Sequence, residues 1–147
     1  MNLRSSNILR TPAALDDGGL CKQHVLVAED DPDQSDFLRD VLEHEGYAVE
    51  TVFSGDMALR RLDQKKYALA IMDVRMPGLS GGTVLKVCRV KTPPNPTPVI
   101  MVSAFATDKD RAEFLRDGAA AFLSKPYDID ELLNTIRGLA PASTKAP

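Results

Sequence analysis

Glu29, Asp30, Asp73, Ser103 and Lys125 combine three carboxylates, a hydroxyl and an amine, and each stands where a short apolar run gives out. Val25–Ala28 runs into Glu29 and Asp30, Leu69–Met72 into Asp73, Val99–Val102 into Ser103, and Ala121–Ser124 into Lys125. If these runs are strands of one parallel sheet, the five residues line its carboxyl edge, where open α/β sheets bind ligands. Adjacent strands lie about 4.8 Å apart, so Glu29, Asp30 and Asp73 would share one cleft. At roughly 5 Å and an effective dielectric of about 20, each like-charged pair repels by about 3 kcal/mol. Such a cluster shifts its pKa values, binds a cation, or does both. Oxygen ligands in a partly open site favour Mg2+, which keeps several waters and then takes a phosphoryl oxygen. Lys125 as a point charge and Ser103 as a hydrogen-bond donor suit the same phosphoryl group. The set fits an aspartate, Asp73, that is itself phosphorylated, by an in-line attack that needs only positioning and electrostatics.

The elements that must position these residues follow one another along the chain. His24–Ala28 is rich in β-branched residues and reads as the first strand. Pro32 and Asp33 open a helix with Phe37, Leu38, Val41 and Leu42 at helical spacing, and Gly46 closes it. Tyr47–Phe53 alternates as a second strand, and Ser54 caps a helix with Met57, Ala58 and Leu62 facing inward. The continuous apolar run into Asp73 suits a strand covered by helices on both faces. Ser80–Val90 is a helix with Val84, Leu85, Val87 and Cys88 as its apolar face. Lys91–Pro98 holds four prolines in eight residues, which only a loop accepts. Val99–Ser103 is the fourth strand, Asp108–Asp117 a short charged helix ended by Gly118, and Ala121–Ser124 a fifth strand. Ile129, Leu132, Leu133 and Ile136 mark an amphipathic last helix. Asp31, Asp33 and Asp36 are first-turn charges favoured by the helix dipole, and His44 lies near the helix C-terminus, where a cation is favoured. Five strands alternating with five helices predict a flavodoxin-like α/β fold: a five-stranded parallel sheet of order 2-1-3-4-5 with helices on both faces.

A chain of 147 residues fits one domain with a full core. Residues 23–139 carry it, with a flexible extension over 1–22 and a polar tail over 140–147. A net charge of −3 and a pI near 5.3 argue against a general nucleic-acid binder. No apolar run is long enough for a membrane span, and the N-terminus lacks the apolar segment of a secretory signal. Two cysteines, Cys21 and Cys88, are too few for a disulfide framework and suit a reducing, cytoplasmic home. Neither GxGxxG nor GxxxxGK[ST] is present, so nothing supports a nucleotide site.

HVLVAEDD, IMDVRMPG, VIMVSA and GAAAFLSKP occur in that order, with Asp30, Asp73, Ser103 and Lys125 separated by 43, 30 and 22 residues. In these motifs and intervals the chain resembles the CheY-like receiver domain of two-component response regulators, over about residues 23–139. The resemblance implies that Asp73 accepts a phosphoryl group from a histidine kinase or a histidine phosphotransfer protein. It implies a Mg2+ ion held by the carboxylates of Asp30 and Asp73, by Glu29 through water and by the Arg75 backbone carbonyl. Lys125 would pair with the phosphoryl oxygens, with a cis bond to Pro126. Ser103 and Phe122 match the switch pair, in which the hydroxyl moves toward the phosphoryl group and the ring turns inward behind it. Phe122 carries no hydroxyl, so an outward state anchored by one is not open to this chain. Arg75 and Phe105 fall where receivers tune loss of the phosphoryl group.

The expected output is a phosphorylation-dependent change of protein contacts, with a downstream protein or in a homodimer formed through the last two helices and fifth strand. The expected chain is a phosphoacceptor, not a turnover enzyme. The eight residues after Leu139 leave no room for an effector unit, so output would run through protein contacts unless the chain is a piece of a longer protein. A constitutive interaction module that keeps the fold without the phosphorylation is the alternative, and the intact acidic cluster with Lys125 speaks against it. A metal-dependent phosphatase on a similar fold would need a separate general base near Asp73, and the sequence offers none.

Overall fold

The computed structural model describes residues 22–104 and 106–142. Phe105, the extension up to Cys21 and the tail beyond residue 142 lie outside the described residues, and so do the expectations that fall on them.

Among the described residues five strands and five helices alternate: β1 (His24–Ala28), α1 (Pro32–His44), β2 (Ala48–Val52), α2 (Gly55–Gln64), β3 (Leu69–Asp73), α3 (Gly81–Val90), β4 (Val99–Ser103), α4 (Asp108–Arg116), β5 (Ala121–Ser124) and α5 (Ile129–Leu139). The strands are all parallel and ordered β2-β1-β3-β4-β5, the doubly wound arrangement expected from the alternation of patterns. Side-chain alternation along each strand splits the core in two. Leu26, Ala28, Ala70, Met72, Met101 and Phe122 face α2 and α3. Val25, Val27, Ile71, Ile100, Val102 and Leu123 face α1 and α5. This is why β1, β3 and β4 read as unbroken apolar runs: both faces are covered.

Helix starts follow local side-chain chemistry. Asp31, Ser54, Ser80, Thr107 and Asp128 are N-caps whose side chains accept from the first-turn backbone, and Thr107 with Asp110 forms a full capping box. Asp31 is thus the cap of α1, one residue before the first turn in which the sequence set it. Gly46 closes α1 with φ of +101°, a conformation that favours glycine. The inward assignment of Met57 is corrected, and Phe37, one of the residues at helical spacing, also proves exposed. Phe37 is 50% and Met57 38% exposed, while their neighbours Leu38 and Ala58 fill the core. Each sits on the flank of its helix stripe, where helical spacing alone does not tell the core face from its border. The second strand is shorter than Tyr47–Phe53: Tyr47 is buried with its hydroxyl donating to the Ala140 carbonyl at 2.7 Å, which fastens the end of α5.

Candidate functional site

The parallel register brings the polar residues together. β1 and β3 pair through Ala28–Met72, so Glu29 and Asp73 follow one step beyond, at the carboxyl edge. Asp73 itself pairs with Val102 of β4, and Ser103 pairs with Ser124 of β5. The backbone N–H of Lys125 then donates to the Ser103 carbonyl at 2.8 Å, extending that pairing by one residue. By strand alternation Glu29, Asp73 and Lys125 belong to the α1/α5 side of the sheet, whereas Ser103 and Phe122 belong to the α2/α3 side.

Lys125 Nζ donates to Asp73 Oδ2 at 2.7 Å and to Glu29 Oε1 at 2.8 Å. Glu29 and Asp73 are buried, and Asp30 is exposed at the rim. One carboxylate oxygen from each of Glu29, Asp30 and Asp73 lies within 4.8 Å of the others. The second oxygen of each buried carboxylate is also held: Asp73 Oδ1 accepts from the Arg75 N–H at 3.1 Å, and Glu29 Oε2 from the Asp31 N–H at 3.2 Å. Burial raises the Glu29 carboxyl above its ordinary value; the hydrogen bond from Lys125 opposes this, and the Asp73 charge adds to it. Burial alone would lower the Lys125 ammonium, but its hydrogen bonds to Asp73 and Glu29 more than reverse that and leave it raised. The cluster therefore holds three carboxylates against one firmly protonated lysine.

That charge surplus is a test of whether Mg2+ suits the site, and the donors pass it. All three are hard oxygens, and the rim residue Asp30 leaves one side open for water or a phosphoryl oxygen. Lysine and backbone orient both buried carboxylates, Asp73 as well as Glu29, and such fixed geometry is what a nucleophile needs.

The β3–α3 turn is packed tightly behind Asp73. A Cβ on Gly81 would lie 2.2 Å from the Asp73 carbonyl oxygen, and one on Gly55 only 1.8 Å from the Leu79 carbonyl oxygen. These glycines hold the turn close without contributing a functional group. Arg75 is exposed, with its N–H engaged as above. The Lys125–Pro126 bond is cis, as the resemblance implied, and a second cis bond at Thr92–Pro93 was not anticipated. Ser103 is buried, and its hydroxyl donates to the neighbouring Ala104 carbonyl at 2.9 Å. Phe122 is also buried, its ring stacked on Phe114 of α4. Phe114 carried no signal beyond its place in a short charged helix.

Comparison with known proteins agrees with this geometry. Residues 25–137 match the family model described as the response regulator receiver domain. The chain is 37% identical over 116 residues to the transcriptional regulatory protein YkoG of Bacillus subtilis, covering 79% of this chain and 50% of that one. It spans about half the length of the curated relatives it matches. Among solved structures, the receiver domain of the Francisella response regulator 1452 superposes with a TM-score of 0.77 at 33% identity, covering 80% of this chain and 96% of that one. The receiver domain of the Pseudomonas aeruginosa sensor histidine kinase PA1611, solved with magnesium in its active-site cleft, superposes with a TM-score of 0.72 at 29% identity, covering 80% and 97%.

Proposed function

The chain belongs to the response regulator receiver domain family, and from that premise we propose that Asp73 is its phosphoacceptor, charged by a histidine kinase or histidine phosphotransfer protein. The observation that carries this is the Lys125 bridge at 2.7 Å and 2.8 Å between Asp73 and Glu29, inside a cluster with more negative charge than one lysine balances. In the step, an Asp73 carboxylate oxygen forms a bond to phosphorus as the phosphorus–nitrogen bond of the donor phosphohistidine breaks, and the ring, already protonated on its other nitrogen, leaves as neutral imidazole. Lys125 already lies on Asp73 Oδ2 and moves little to meet the incoming phosphoryl oxygens. The Arg75 N–H keeps the carboxylate in place. Glu29, Asp30 and Asp73, with the Arg75 carbonyl, are the residues that would hold Mg2+, and the ion supplies charge neutralisation at the phosphoryl oxygens.

Ser103 is the hydroxyl that turns from the Ala104 carbonyl to the phosphoryl group, and Phe122 is its partner on the same face of the sheet. Phosphorylation then changes which proteins the α4–β5–α5 surface contacts, either a downstream regulator or a second copy. Arg75 and Phe105 are assigned to tuning the lifetime of the phosphoryl group. The chain acts as a cytoplasmic switch and not as a turnover enzyme. Among the described residues no helix is long and apolar enough to cross a membrane.

Intact mass after incubation with acetyl phosphate and Mg2+ tests the assignment. One added phosphoryl group is expected, with complete loss in Asp73→Asn and in excess EDTA. No gain from acetyl phosphate, nor from phosphorylated histidine kinases, would reject the phosphoacceptor role in favour of a constitutive interaction module.

A further inference from the structure

Phe122 lies fully inside the core on the face shared with α2 and α3, although Ser103 still donates to its neighbour's carbonyl. The ring is thus inward while the hydroxyl bonds to a neighbouring backbone carbonyl. What holds the ring is visible on α4. Phe114 stacks on it with ring centroids 5.6 Å apart and planes 14° from parallel. Room for Phe114 exists because residue 82, in the first turn of α3, is glycine; a Cβ there would lie 2.9 Å from Phe114 Cε1. Arg111, one turn before Phe114, donates to the Phe122 carbonyl at 3.2 Å. α4 has no fully buried residue, and Phe114 itself is half-buried, so this stack and the Arg111 bond are its main grip on the sheet.

We propose that Phe114 is a positioning residue for the switch: seated over Gly82 and stacked on Phe122, it holds that ring inward before any phosphoryl group arrives. Phosphorylation then has mainly Ser103 left to move, and α4 and β5 present a largely formed output surface at rest. The inference rests on the phosphoacceptor reading of Asp73 for its meaning in signalling, but the lock itself is a property of the resting chain. A stack of this kind shifts a two-state ratio by about two- to tenfold, enough to set the resting bias of a switch whose states lie close in energy.

The test uses the full chain with carbon-13 in its phenylalanine rings, the Phe122 signal being assigned by its loss in Phe122→Leu. In the resting protein, relaxation dispersion of the Phe122 ring is expected to be flat. Phe114→Ala and Gly82→Ala should both introduce exchange between inward and outward rings; Gly82→Ala keeps both aromatic side chains and only displaces the stack. A second arm adds Mg2+ and acetyl phosphate, with intact mass read on the same samples. The Phe122 signal should move little in the native chain and further in both variants. Flat dispersion in both folded variants, or exchange already present in the native chain, overturns the lock whatever the mass shows. Absence of any mass gain rejects the Asp73 reading alone, and the resting arm still decides the lock. If Phe114→Ala melts below the working temperature, Gly82→Ala carries the same decision.

Discussion

The two ends of the sheet each gather charge, and they balance it differently. At the carboxyl edge Glu29, Asp30 and Asp73 share a single lysine, Lys125. Beside the amino end of β3 one carboxylate, Glu50 in the middle of the edge strand β2, is oversupplied. Arg61 Nε lies 2.7 Å from Glu50 Oε2, placed for charge but without hydrogen-bond geometry, and Lys65 Nζ lies 3.4 Å from Oε1. The Tyr67 hydroxyl donates to the same Oε1 at 2.8 Å, and its pKa is raised by burial and by that carboxylate. Two cations and a hydroxyl leave Glu50 with no need of a further partner, so that cluster reads as structural. The acidic site is short of positive charge, which a cation from outside would supply. Ion pairs alone therefore do not mark a functional site; an imbalance held in place by burial does.

Removing Lys125 breaks the comparison most severely. Lys125→Met leaves Glu29 and Asp73 buried side by side with no counter-charge. A loss of roughly 3 kcal/mol in metal-free unfolding free energy is expected, with phosphorylation by acetyl phosphate slowed about 100-fold. Mg2+ should restore more stability to this variant than it adds to the native chain, because the ion replaces the missing positive charge. Equal Mg2+ stabilisation of the two proteins would show that the surplus charge does not govern ion binding.

The corresponding change beside the amino end of β3 is Glu50→Gln. Its partners are partly exposed and their charges screened, so a loss of about 0.5–1 kcal/mol in denaturant unfolding is expected. The phosphorylation rate and the Mg2+ response should stay at native values. A change in either would mean that the two ends communicate through the sheet.

The acidic site was legible because it depends on strand ends and parallel register. An apolar run that stops at Asp73, and another that stops at Glu29, dictate nearly everything about their meeting once the strand order is known. Contacts between helices and loops carried no such signal. Arg89 draws no notice in the sequence, yet it donates to the carbonyls of Asn95, Thr97 and Gly118 and so fixes the proline-rich loop against the α4–β5 turn. Its partner Gly118 lies 29 residues away, and only the docking of α3 brings them together. The Phe114–Phe122 stack is hidden for the same reason, since a glycine on a third element makes the space. The outward turn of Phe37 and Met57 depends on which flank of each helix the sheet covers, and a stripe of apolar residues does not specify its own edge.

The smallest expected effect separates the two ends by pH. His24 opens β1 at the amino edge, on the same strand that leads into Glu29. Burial lowers its pKa first, the Lys65 charge lowers it further, and the Glu50 charge works against both. The unfolded chain takes up a proton near the ordinary imidazole value of 6.5, and the folded chain only at lower pH. Between those two points the unfolded state binds more protons, so stability rises with pH. His24 thus costs nothing above 6.5, and stability is lost as pH falls through 6.5 toward the lowered folded value. The side chain is half-buried, so the effect is expected to be smaller than the roughly 1.4 kcal/mol that a one-unit shift carries. His24→Gln should flatten the stability profile in this window and leave phosphorylation untouched. Glu50→Gln should steepen the same window, because it removes the charge that favours imidazolium while Lys65 remains. The two substitutions together should again give a flat profile. A steepening that survives in the double variant would trace the pH response to a group other than His24.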